Sequence, residues 1–185
     1  MIPLKTSRVN ILIKYWGIIN NSTFKGSGIM QWVIVSIVSW IIFILLIDLK
    51  QIKYTIWAGV LSVISQLIID NMAFHLKLYD FKNDIIEIFN SSLFFTFGAP
   101  FTIGTIFAQT YPKNRMLRFI NIFASTALFF VLEYALKLSG VLEYIHWHYF
   151  YSITIDVLVL MSLGNFITIF KLVPWMRSEE EDNER

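Results

Sequence analysis

The chain has 185 residues, of which 56% are hydrophobic and 15% charged, with a formal net charge of +2 and no cysteine. Soluble domains carry about 25% charged residues, so the composition excludes a soluble enzyme of ordinary type, a disordered chain and a disulfide-stapled secreted domain. The charge excess is too weak and scattered for a nucleic-acid interface, and without cysteine there is no thiol catalysis and no Cys-ligated metal centre.

What remains is an all-α integral membrane bundle. Its elements are expected as follows, in chain order. Residues 1–28 form an N-terminal amphipathic segment. Within it Asn10, Lys14, Gly17 and Asn21 recur at helical spacing on an otherwise apolar run, the pattern of a helix lying in the membrane interface or packed on the bundle. The run is broken by Lys14 and lacks a small-residue cleavage site, so it does not read as a signal peptide. About 20 mostly apolar residues are needed to cross the hydrocarbon core. Five stretches qualify: 29–47, 54–69 (extending naturally to 74), 88–109 with a kink expected at Pro100, 119–138 and 149–170. They make a five-span bundle over residues 29–170, followed by a charged tail, 171–185.

Orientation follows from Lys and Arg in short loops. Lys50 and Lys53, then Lys113, Arg115 and Arg118, then Lys171 and Arg177 all fall on one side of such a bundle. That side is expected to be cytoplasmic, with the C-terminus inside. Lys5, Arg8, Lys14 and Lys25 oppose this, unless their segment lies in the interface.

The spans carry polar residues in stripes: Gly59, Ser62, Gln66 and Asp70 on the second, and Ser91, Gly98, Thr102, Thr105 and Gln109 on the third. Such stripes are expected to be helix–helix seams. Ionisable residues inside spans are candidates for function. Asp70, Glu133 and Asp156 all lie toward one membrane face, and His75, His146 and His148, the chain's 3 histidines, fall in that face's loops. With Gln66 they make a candidate polar pocket, expected to be water-accessible and open toward those loops, on the outer face. Carboxylates there could hold protons or a small polar ligand, and imidazole plus carboxylate could bind a metal. No metal-binding spacing occurs, and no cofactor is expected. Ordinary structural partners also exist: Lys137 one turn from Glu133, and Ser152 or Tyr149 one or two turns from Asp156. Asp70 could simply terminate its helix.

A faint internal echo runs through the same residues. Asp70 is followed by Leu76-Lys77-Leu78-Tyr79-Asp80, and Glu133 by Leu136-Lys137-Leu138 and then Glu143-Tyr144.

Over residues 55–170 the chain resembles the uncharacterised small multi-span membrane proteins of spore-forming Gram-positive bacteria that are catalogued after a clostridial locus. The residues carrying the resemblance are Asp70, Leu78-Tyr79, Pro100, Gln109 with Tyr111-Pro112, Glu133-Tyr134, Gly140, Glu143-Tyr144, Trp147 and Tyr151-Ser152. The resemblance implies a membrane architecture and no particular reaction. The expected function is a non-enzymatic, multi-pass component of the cell membrane that binds lipid or another partner. The alternatives are a small proton-coupled transporter and an enzyme acting on a lipid headgroup. The expected partners are the bilayer and a headgroup or small polar ligand. Nothing in the sequence sets an oligomeric state.

Overall fold

The computed structural model describes residues 28–82, 86–173 and 175–176. The expected N-terminal interfacial helix and most of the charged tail lie outside them.

Among the described residues five helices carry the fold: α1 (Gly28–Leu46), α2 (Ile52–His75), α3 (Leu93–Gln109), α4 (Arg115–Leu138) and α5 (Tyr149–Ile169). Short strands punctuate them: β1 (Tyr79–Phe81), β2 (Glu87–Ile88), β3 (Ser91–Ser92) and β4 (Leu142–Tyr144). Helices α2, α4 and α5 are long and apolar enough to cross a membrane. At 24, 24 and 21 residues they measure roughly 31–36 Å, against a hydrocarbon core of about 30 Å. The other two are shorter apolar helices. Large apolar side chains such as Ile44, Leu45, Phe123 and Leu158 stand exposed on the outer surface. A continuous apolar surface of this kind needs lipid or protein against it, so the chain is a membrane-embedded helical protein.

The α2–α3 seam uses the polar stripes. Ser62, Thr102 and Thr105 are buried. A methyl group built on Gly104 would stand 2.6 Å from Ser62 Cβ and 3.1 Å from the Ala58 carbonyl, and one on Gly59 would stand 2.8 Å from the Phe101 carbonyl. Backbones this close exclude any side chain larger than glycine. At the far end of the seam, Gln109 accepts from the Asp48 backbone N–H (2.9 Å) and donates to the Asp48 carbonyl and to Thr55. Nearby, Trp175 donates to the Tyr111 carbonyl (3.2 Å). The three basic segments, around Lys50, Lys113 and Lys171, therefore gather at one end of the bundle.

The third helix is shorter than the sequence suggested. It begins at Leu93, because residues 87–92 form the β2–β3 hairpin instead, with Glu87 opposite Ser92 and Ile88 opposite Ser91. Phe89 and Asn90 both take positive φ, 50° and 59°, as the two central residues of a tight hairpin turn require. An apolar count is blind to that turn.

At the opposite end from the basic segments, α2 and α4 stop in the same way. In α2 the Leu78 N–H returns to the Ala73 carbonyl and Lys77 N–H to Phe74; in α4 the Val141 N–H returns to Leu136 and Gly140 N–H to Lys137. Both are Schellman motifs, with Lys77 (φ 52°) and Gly140 (φ 77°) in the left-handed position. Each helix then feeds a strand, and β1 and β4 pair antiparallel: Tyr79 with Tyr144, Asp80 with Glu143, Phe81 with Leu142. A constant offset along the chain, 70 to 133, 77 to 140 and 80 to 143, superposes the helix acid, the left-handed residue and the strand acid of the two units. The ladder is centred on Asp80 and Glu143, which that offset makes equivalent, so the two units face one another across a local two-fold axis. The Leu-Lys-Leu echo is out of register with this relation. Leu76-Lys77-Leu78 turns out of α2, whereas Leu136-Lys137-Leu138 is still helix.

Candidate functional site

Alternation along the strands turns Tyr79, Phe81 and Leu142 inward, where they line a cavity between the helices, and leaves Asp80 and Glu143 outside. The remaining walls come from Gln66, Ile69 and Asp70 of α2, Phe95 of α3, Phe129, Glu133 and Leu136 of α4, and Ser152, Ile155 and Asp156 of α5, with Trp147 beside the ladder. The space open to the centre of a water molecule is about 60 Å³. One water needs about 10–15 Å³ of such space, so the cavity has room for several.

Asp70 is 1% exposed, and it does not end its helix, which continues to His75. Its Oδ1 accepts from Gln66 Nε2 (2.8 Å) and the Tyr79 hydroxyl (2.5 Å), and its Oδ2 from the Ser91 hydroxyl (2.5 Å). Ser91 also contacts the Thr96 hydroxyl at 2.6 Å. With Ser91's one hydrogen on Asp70, Thr96 is the donor of that pair.

Glu133 is served from the other half. Its Oε1 accepts from the Tyr144 hydroxyl (2.5 Å) and the Ser152 hydroxyl (2.6 Å), while Trp147 Nε1 donates to Ser152 Oγ (2.6 Å). Each acid thus takes one tyrosine from the ladder and one serine. Burial pushes both phenols above their ordinary range, reinforced by Asp70 at Tyr79 and by Glu133 at Tyr144. They remain neutral donors throughout the physiological range.

Asp156 differs. It is half-buried at the cavity wall and, among the described residues, takes no hydrogen bond from a protein group. Ser152, its expected partner one turn away, is committed to Glu133. Glu133 and Lys137 do not close into a direct ion pair, although the lysine's charge still acts on the acid. Lys137 turns its ammonium over the rings of Tyr144 and Tyr149, 4.0 and 4.2 Å from their centroids, a cation–π arrangement.

Of the seven residues expected in one pocket, Asp70, Glu133, Asp156 and Gln66 line the cavity, and His75, His146 and His148 do not. All three histidines are exposed. His146 Nδ1 lies 3.3 Å from the Lys77 carbonyl, at the turn that ends α2. Among the described residues no three His, Asp or Glu side chains gather closely enough to hold a metal ion. The donors Tyr79, Tyr144, Ser91 and Ser152 were not read from the sequence as partners of Asp70 and Glu133. A tyrosine beside the acid that follows each helix end, Tyr79-Asp80 and Glu143-Tyr144, is the signal that could have found the two tyrosines.

No protein-family model, curated protein or solved structure matches the chain. Fold and site together define a class: an all-helical, membrane-embedded protein with a carboxylate-lined cavity at one end of its bundle.

Proposed function

We propose that this chain is a five-span protein of the cell membrane that acts by binding, without catalysis, and that the carboxylate cavity is its binding site. The observation that carries the reading is the sharing of one cavity by Asp70, Glu133 and Asp156, because an isolated Asp at the centre of a span costs about 2.5–3.5 kcal/mol on insertion scales. The catalytic alternative draws on the histidines as base or ligands, and these do not line the cavity. The transport alternative needs a polar path to the far end, where the α2–α3 seam is instead packed glycine against backbone.

In this reading the basic end faces the cytoplasm, with the C-terminus inside, and the cavity opens at the outer face toward lipid headgroups. The resemblance to small membrane proteins of spore-forming Gram-positive bacteria supports the same setting, with the bilayer and a headgroup or small polar molecule as partners. Single cysteines test it, since the chain has none of its own. Ile155→Cys, in the cavity wall, should react with a small membrane-impermeant thiol reagent in intact cells, and Asn114→Cys only after permeabilisation. The reverse pattern would overturn the orientation. An unreactive Ile155→Cys in folded protein, even after permeabilisation, would overturn the open cavity.

A further inference from the structure

We propose that the ligand of this cavity is a primary ammonium group, carried by a small free amine or by an aminophospholipid headgroup; this deepens the binding reading above and rests on it. The argument starts from an inventory of hydrogens. Tyr79, Ser152 and Trp147 each have one polar hydrogen, and each is already given to Asp70, Glu133 or Ser152. Tyr144 and Ser91, behind the wall, have spent theirs on the same two acids. Asp70 has both oxygens engaged. Glu133 has both of its bonds on Oε1, leaving Oε2, and Asp156 has both oxygens unengaged. Apart from the second amide hydrogen of Gln66, what the described side chains still offer is the oxygens of three acids, with no cation among the lining residues.

An occupant must therefore bring hydrogens and positive charge. The acids do not converge as metal ligands, so the space between them suits a group larger than a bare ion. The walls suit an ammonium in particular: Tyr79, Phe81, Phe95, Phe129 and Trp147 line the same cavity, and aromatic rings attract ammonium groups. Next door, the ammonium of Lys137 sits against two tyrosine rings in just this way. A quaternary ammonium carries charge but no N–H, and would leave the free oxygens unserved. A primary ammonium brings three hydrogens.

The test uses the full chain in nanodiscs and follows its thermal unfolding midpoint, which rises when a ligand binds the folded state. One arm adds ethanolamine to discs free of aminophospholipid, and a second builds phosphatidylethanolamine into the discs with no free amine. Tetramethylammonium chloride at matched concentration is the control. A rise in either amine arm and none with tetramethylammonium supports the proposal, and the arm that responds identifies the source. Asp156→Asn removes the acid from a side chain that no described protein group hydrogen-bonds, and should weaken the response about tenfold or more, the scale of a lost charge-assisted bond. Should that variant fold poorly, Glu133→Gln keeps an oxygen for Tyr144 and Ser152 and should show the same loss. No rise in either amine arm, an equal rise with tetramethylammonium, or a full response in the folded variants would overturn the ammonium. Ile155→Cys separates the two levels: if it stays reactive while amines fail, the ligand class is wrong and the cavity stands; if it is unreactive, the binding reading itself falls.

Discussion

Asp70 and Glu133 are held in place by hydroxyls, and hydroxyls differ in whether they can turn. Tyr79 sits in a fixed ring, so Tyr79→Phe leaves an Asp70 oxygen one donor short in a buried site and should cost about 1–3 kcal/mol of stability. Ser91 can rotate. Asp70→Asn can aim its amide at Ser91, which then accepts from Asp70's replacement and gives its own hydrogen to Thr96. Asn should be tolerated far better than Leu at this position, and chemical or thermal unfolding in detergent would rank the three variants. The raised phenols of Tyr79 and Tyr144 also set a pH limit. A group whose proton is held more tightly in the folded state stabilises fully below its unfolded pKa, about 10 for tyrosine, and that contribution is lost as pH rises further. Unfolding midpoints should therefore fall above about pH 10, and less steeply in Tyr144→Phe than in the parent protein. The three acids were legible in the sequence because charge inside an apolar span is rare. Their donors were not, because serine and tyrosine near a membrane surface are common, and only the ladder brings residues 79 and 144 alongside residues 70 and 133.

Helix positions were the most legible elements, since apolar runs announce themselves; α5 differs from the expected stretch only at its last residue. The ends were less so. A residue count does not see that Phe89 and Asn90 turn back before α3, or that β1 and β4, distant in sequence, complete one ladder. The two Schellman ends allow a clean comparison. A methyl group added at Gly140 would meet nothing within 4 Å, so a side chain there faces only the backbone penalty of the left-handed region, roughly 1–2 kcal/mol. Lys77 already bears it. Lys77→Gly should be neutral or stabilising by up to about 1 kcal/mol, while Gly140→Ala should destabilise by about the same. The seam behaves in the opposite sense: Gly104→Val collides with Ser62 and the Ala58 carbonyl and should cost about 1–3 kcal/mol as an overpacking change. Denaturation of the three variants side by side would separate backbone strain from steric exclusion.

The molecule as a whole is two helical hairpins, α2–α3 and α4–α5, with α1 laid mainly against α3. Trp32 of α1 is fully buried and donates to the Lys82 carbonyl (3.2 Å) beside the ladder, so all five helices meet at the cavity end. The ladder is the part of this assembly with a further consequence. Strands paired about a two-fold axis are self-complementary, so each carries the edge that its partner recognises. Breaking the chain between α3 and α4, at the end away from the ladder, should leave two fragments that find each other when made together in one membrane. The fragment ending after α3, made alone, has an unsatisfied β1 edge of the same design and should associate with its own copy. Co-purification of differently tagged fragments measures both outcomes. Recovery of the α1–α3 fragment with its own copy, reduced when the α4–α5 fragment is supplied, would show that one edge serves for joining the halves and for choosing between partners.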